Sequence, residues 1–433
     1  MPSKRPGGPR RTPPPGPAPA GWLRRHWPAA LALALAAGLA AIGVSLWPAS
    51  GDASVAAVAP VARASAPAWP GVGAAPGLPA PAASQLQQLR SQLEEADRAY
   101  CDYRDNTRYP NASRPIAEHP DQVYPNRPVA EAHAMRTDKG SDSSVQLHTS
   151  QSRVFMAPGE SVTFTLKAVD GAGATLPLFV TRSAARGLTY GASRPVSPVT
   201  LQFGDDGGKG DAAAGDGTHS ATLAPTQSGF AQFNGTIRTE ISYNVGDRSG
   251  VVVFDVIYTP EVPATWSGPV RDALENGSLV YYLKAEVRKA GRYVVSGRVD
   301  DAKGKPFALA SFNELLPAGP NQIKLTVFGK LIGDQQAALP LTLRDVDAYL
   351  LKEDTDPDRA LMPRLEGTVH VSKSYPATGF ADAEWQSEER NRYLAELGRD
   401  VESAKQGLLK VAPEQAASPL LTQRCARAGG AKR

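Results

Sequence analysis

Residues 160–169 read ESVTFTLKAV, and Val162, Phe164, Leu166 and Ala168 stand at every second position. A strand turns successive side chains to opposite faces, so this spacing predicts one buried face and one wet face. The same period recurs in SPVTLQF (197–203), in GFAQFNGTIRTEISYNV (229–245) and in GVVVFDVIYTP (250–260), where Val252, Phe254, Val256 and Tyr258 alternate. Pro260 and Pro263 then interrupt strand pairing and mark a boundary.

A second set of alternating runs follows. Leu279, Tyr281, Leu283, Ala285 and Val287 form one run, and Tyr293, Val295, Gly297 and Val299 form the next. Lys289-Ala290-Gly291 lies between them, so the pair reads as a hairpin. Ile323, Leu325 and Val327, then LPLTLRDVDAYLL (339–351) and GTVHVSKSY (367–375), supply further strands. Strands at this spacing without long helices between them predict a mainly β chain, with two antiparallel immunoglobulin-like β-sandwiches at 153–262 and 263–376. Residues 84–152 read as a short helix and an irregular lead-in, with Leu86, Leu89, Leu93 and Ala96 at helical spacing. That segment is too short for a coiled-coil seam of three or four heptads, so its helix is expected to pack on its own domain. Residues 377–433 read as a C-terminal helical segment and a basic tail, with Trp385, Tyr393, Leu394, Leu397 and Val401 on one stripe.

Charge is distributed unevenly along the chain. Of 433 residues, 47 are Lys or Arg and 43 are Asp or Glu, a net +4. Residues 1–83 hold seven of the basic residues against Asp52 alone, a balance of +6, which leaves 40 basic and 42 acidic residues in the other 350. The basic character therefore belongs to a short Pro-rich head, and nucleic-acid binding by the body is disfavoured. From Ala29 to Ser50 no residue is charged, with Trp27 and Trp47 near the two ends of the run. About 20 apolar residues cross a hydrocarbon core of about 30 Å as a helix, so residues 27–50 read as an N-terminal transmembrane helix. The basic tail 1–26 is then cytoplasmic, the inner membrane is the first partner, and the bulk is periplasmic. A cleaved signal peptide, cut near Ala64-Ser65-Ala66, is the alternative, but the apolar run exceeds a signal core. Residues 51–83, rich in Ala and Pro, read as an extended linker.

Chemistry-bearing residues are few. Asp205, Asp206, Asp211 and Asp216 stand within twelve residues, separated by glycines. Such acids can converge on calcium, a hard cation that takes six to eight oxygens; a solvated turn is the other reading, since Asp-Gly is a common turn pair. The two cysteines, Cys101 and Cys425, flank the folded region. In an exported chain they form either a disulfide or two independent thiols. The six histidines form no helical zinc pair, and no Gly-x-Ser-x-Gly elbow or phosphate loop occurs. Asn111, Asn234 and Asn276 begin glycosylation triplets, which the Ala, Pro, Gly and Arg bias of a high-GC bacterium renders coincidental.

Two long stretches carry a resemblance. FGDDGGKGDAAAGDGTHSATL (203–223) and the segment from Gly291 to Leu351, with its Phe328-Gly329 step, resemble bacterial exported proteins of choice-of-anchor type X. That family's tyrosine after the Asp-Gly step is His219 here, and its Gly-Pro-Tyr before a late strand is replaced around Ala338-Leu339-Pro340. The resemblance implies immunoglobulin-like modules at the cell surface or in the periplasm. The expected function is a non-catalytic binding or scaffolding module for an unidentified envelope protein or glycan. The alternatives are an envelope hydrolase acting on glycan or peptidoglycan, and a structural subunit of a secretion or pilus machine.

Overall fold

The computed structural model describes residues 80–418 except 138–139, 189–195 and 209, together with Leu421 and Cys425. The basic tail 1–26, the transmembrane segment 27–50 and all but the end of the linker 51–83 lie outside the described residues. Among those described, no helix is long and apolar enough to cross a membrane.

In chain order, helix α1 (Ala80–Asn106) leads to a short strand β1 (Ser113–Pro115). A first set of strands follows: β2 (Val129–Thr137), β3 (Gly140–Gln151), β4 (Phe155–Met156), β5 (Val162–Asp170), β6 (Thr175–Leu176), β7 (Leu178–Gly187), β8 (Val199–Thr200), β9 (His219–Leu223), β10 (Gly235–Val245) and β11 (Arg248–Tyr258). The second set comprises β12 (Ala264–Trp266), β13 (Arg271–Glu275), β14 (Ser278–Val287), β15 (Gly291–Asp300), β16 (Pro306–Leu316), β17 (Gly319–Val327), the short helix α2 (Gly329–Asp334), β18 (Thr342–Leu351), β19 (Arg359–Leu361) and β20 (Leu365–Val371). Helix α3 (Glu388–Val411) closes the order of long elements.

The chain is thus mainly β, with antiparallel sheets and flanking helices; one short pairing, β4 with β11, is parallel. In the first body one sheet runs β2-β3-β5-β6 with β9 also on β5, and its partner runs β4-β11-β10-β7-β8. Their inner faces share one core, in which Phe164 meets Phe254 with ring centroids 4.9 Å apart and Tyr243 and Tyr258 are fully buried. The register explains the alternation: Val252, Phe254, Val256 and Tyr258 point inward from β11, opposite Ile241, Thr239, Ile237 and Gly235 of β10. In the second body β12-β14-β13, with β17 on β14, faces a six-stranded sheet β1-β16-β15-β18-β19 with β20 on β18. Tyr281, Tyr293, Leu325 and Leu343 are among the side chains filling the space between these sheets.

Two sequence-based expectations are corrected. Residues 84–152 contain more than a short helix and a lead-in: α1 has 27 residues, and β2 and β3 complete a sheet of the first body. β2 buries only Met135 fully, so an edge strand wet on nearly all sides gives no alternation to read. The expected hairpin of β14 and β15 is also absent. β14 pairs with β12, β13 and β17, whereas β15 pairs with β16 and β18, so the link at 288–290 carries the chain from one sheet to the facing one.

The flanking helices form a third, small core of Leu93, Val401, Leu408 and Ala412, with Leu86, Leu89 and Ala96 packed against it. Ser387 caps α3 by accepting from the Arg390 amide at 3.0 Å, and Glu388 and Glu389 in its first turn suit the helix dipole. Tyr393, expected on the packing stripe, is 46% exposed; the buried stripe lies further along, through Val401 and Leu408. Cys101 in α1 and Cys425 are joined by a disulfide with Cα atoms 5.5 Å apart, which closes a loop of 324 residues.

Candidate functional site

The loop between β8 and β9 carries the four predicted aspartates. Asp205, Asp211 and Asp216 bring carboxylate oxygens within 4.8 Å of one another, and Asp206 does not join them. Each carboxylate is turned onto the loop's own backbone. Asp205 accepts from the amides of Gly215 at 2.7 Å and Gly217 at 2.8 Å, and Asp211 from those of Gly207 at 2.8 Å and Ala213 at 3.2 Å. The Thr218 amide donates to Asp216 at 2.7 Å, and hydrogen bonding to Thr218 holds the Asp216 carboxyl below its ordinary value. Gly210 permits the tight path, with φ of +91° and no room for a Cβ beside Thr163. An ionised carboxylate offers about four lone-pair sites, so oxygen capacity remains after the amides are served. Three carboxylates fit calcium chemistry in kind and fall short of it in number, leaving carbonyls and water to complete a shell. His219, next to the loop, is partly buried, and its Nδ1 has no hydrogen-bond partner among the described residues.

A larger feature lies on the outer face of the six-stranded sheet. Residues 119–129 pass over this face, and with Ser152–Phe155 of the first body they enclose a groove of about 1010 Å³. This is the size of a site for a small-molecule or short-chain ligand. Its floor alternates with the core: Val294 and Ser296 of β15 and Asp347 and Tyr349 of β18 face outward, while Val295, Ala348 and Leu350 are buried. Ser311 of β16 holds the chain ahead of the crossing segment, its amide donating to the Ala112 carbonyl at 2.9 Å.

The wall between the two bodies is built from charge. Arg364 donates to Glu160 Oε1 at 2.8 Å, to the Phe155 carbonyl at 3.1 Å and to Asp347 Oδ1 at 3.1 Å, so a single guanidinium reaches residues 204 and 209 positions away in sequence. Arg153 reaches the same Glu160 oxygen at 2.8 Å. Arg359 stacks between Phe155, 4.3 Å to the ring centroid, and Tyr349, at 4.8 Å, while its fork holds Asp358 at 2.8 and 2.9 Å. Burial pushes the Asp347 carboxyl above its ordinary value, and Arg364 only partly offsets this.

A second pocket of about 580 Å³ adjoins the groove and shares Tyr124 and Arg127 with it. Arg298 lines it and is paired behind the wall with the buried Asp300, with Nε 2.9 Å from Oδ1 and Nη2 3.0 Å from Oδ2. Arg298 also donates to the Val123 carbonyl and lies under the Tyr124 ring, 5.7 Å from its centroid. Burial raises the Asp300 carboxyl, against the pull of Arg298 and Arg344.

One further constellation stands elsewhere. Asp272 in β13 lies 2.7 Å from His370 Nε2 and accepts from the Tyr375 hydroxyl at 2.7 Å and the Lys373 amide at 3.1 Å. Burial opposes ionisation of Asp272, but these donors outweigh it and its carboxyl titrates below the ordinary range. These contacts bind β20 and the segment after it to β13, and none of these residues lines either pocket. No local pattern in the sequence marks this cluster or the groove arginines, since an arginine or aspartate on a strand or in a short link reads as an ordinary wet position.

No family model and no curated protein matches this sequence. Among solved structures, the chain is similar to a DUF4785 family protein from Legionella pneumophila, at 13% identity and a TM-score of 0.35. The match covers 54% of this chain and 62% of that one, so it spans less than two thirds of the protein it matches.

Proposed function

We propose that this chain is an envelope protein anchored in the inner membrane by residues 27–50, with its body in the periplasm. Its two β bodies are read as immunoglobulin-like sandwiches of the choice-of-anchor type X kind, and it acts as a non-catalytic binding module. The observation that carries this reading is the groove between residues 119–129 and the six-stranded sheet, whose walls come from both bodies. Most charged side chains along it are engaged with one another, Arg364 with Glu160 and Asp347, and Arg359 with Asp358. Groups so paired form a rigid surface that suits holding a partner more than donating or accepting protons. The partner is an envelope protein or glycan, and nucleic acid is not expected.

The test is a photo-crosslinking residue placed at Tyr349 in the groove or at Phe179, exposed on a sheet of the first body, in the full chain in intact cells. Capture of a common envelope component from Tyr349 alone supports the reading. Equal capture from both positions, or none from Tyr349, overturns it. Release of soluble fragments from isolated peptidoglycan would favour the hydrolase instead. The proposal includes calcium at Asp205, Asp211 and Asp216, with Asp206 outside the cluster. The melting temperature should rise with calcium over chelator, and a curve that does not move removes the metal.

A further inference from the structure

The small pocket beside the groove has an imbalance that its own residues do not resolve. Three guanidinium groups line it, those of Arg127, Arg298 and Arg344, and two carboxylates stand against them, those of Asp300 and Asp345. Arg298 and Asp300 offset one another in charge, with one hydrogen bond from Nη2 to Oδ2 at 3.0 Å; Arg298 Nε and Asp300 Oδ1, 2.9 Å apart, are buried and not aligned for a second. Asp345 has one oxygen taken by the Gly367 amide at 2.7 Å and the other 3.6 Å from Arg298. Arg344 is held less completely. Its Nη1 donates to Thr368 at 3.2 Å, but its Nε lies 3.6 Å from Asp300 and, although buried, has no hydrogen-bond partner. Arg127 has neither an ion-pair nor a hydrogen-bond partner for its guanidinium among the described residues.

The three guanidiniums outnumber the two carboxylates by one, and the exposed Arg127 guanidinium is the group left without a partner at a cavity of about 580 Å³. Guanidinium forks match planar or tetrahedral oxyanions. Tyr124 and Arg127 line both the pocket and the groove, so a ligand lying in the groove can place one end here. We propose that the pocket receives a single oxyanion, carboxylate or phosphate, held between Arg127 and Arg344 beside Arg298. This rests on the groove reading and names the chemistry of the ligand's end.

The test uses the detergent-solubilised full chain titrated with glucuronate, glucose 6-phosphate and glucose, followed by calorimetry. Saturable binding of one or both anions is expected, with glucose at least ten-fold weaker; which anion binds tells carboxylate from phosphate. In Arg127→Gln, an exposed and unpaired position that should leave the melting temperature unchanged, anion binding should weaken at least ten-fold. Arg344→Gln should weaken anion binding as much, and Arg186→Gln on another sheet should leave it unchanged. Glucose binding as well as the anions, anion binding that survives Arg127→Gln, or no anion binding at all would each overturn the inference. The groove reading fails separately: anion binding would persist while crosslinks from Tyr349 were lost.

Discussion

The aspartate loop is a cluster of like charge and the groove wall a cluster of paired opposite charges, and the chain holds them in opposite ways. In the loop, Asp205 finds its partners at Gly215 and Gly217, ten and twelve residues away, and both are backbone amides. At the wall, Arg364 finds Glu160 and the Phe155 carbonyl 204 and 209 residues away. A cluster held by its own backbone forms whenever the loop closes; one held by distant side chains exists only when both bodies are folded and docked. The first is a local motif and the second is a readout of assembly.

The largest effect should come from breaking the distant cluster. Arg364→Ala leaves Asp347 without its ion-pair partner and removes the bridge to the first body. Truncating one member of a partly buried charge network should cost about 2–3 kcal/mol in urea unfolding, somewhat less than for a fully buried pair. Adding Asp347→Asn should return part of that loss, because the uncompensated carboxylate goes with it. Asp205→Ala, which strands two loop amides, should cost about 1–2 kcal/mol. If Arg364→Ala proves the milder change, the wall is an ornament of docking rather than its support.

Acidity separates the two regions by sign. Asp347 has its folded pKa raised by burial, so the folded state binds the proton more tightly than the unfolded one. Its contribution is fullest below the ordinary aspartate range of about 4 and is lost as pH rises through the folded value. Asp216 has its folded value lowered by Thr218, so its contribution is present above the ordinary range and is lost as pH falls through the folded value. Relative to the parent chain, Asp347→Asn should therefore gain in urea midpoint from pH 3 to 7, and Asp216→Asn should lose over the same window. Parallel pH profiles for the two variants would erase the contrast.

The same contrast explains what could be read from the sequence. Strands such as β5 and β11 announce themselves because one face is buried and the other wet, and the aspartate loop announces itself because its acids are neighbours in the chain. β2 is invisible in the sequence because an edge strand that fully buries only Met135 has no alternation. β14 and β15 read as a hairpin because a short Gly-containing link serves equally to turn back or to cross between facing sheets, and only the partners of each strand decide which. Arg359 and Arg364 carry no local sign at all. Their partners, Phe155 and Glu160, are set by how two separate sheets meet, and no window along the chain contains both.

The smallest effect makes the finest cut within the loop. Asp206 sits beside Asp205 in sequence, and spacing alone assigns them the same part. In the fold Asp206 accepts one exposed amide bond, from Gly208 at 3.0 Å, and stands outside the cluster formed by Asp205, Asp211 and Asp216. Asp206→Ala should therefore stay within about 0.5 kcal/mol of the parent chain. It should also leave any calcium-induced rise in melting temperature intact, while Asp205→Ala abolishes it. Equal losses from the two substitutions would mean that the run of acids acts through its summed charge. Unequal losses would mean that backbone geometry, which turns one neighbour inward and leaves the other in water, selects the residues that matter.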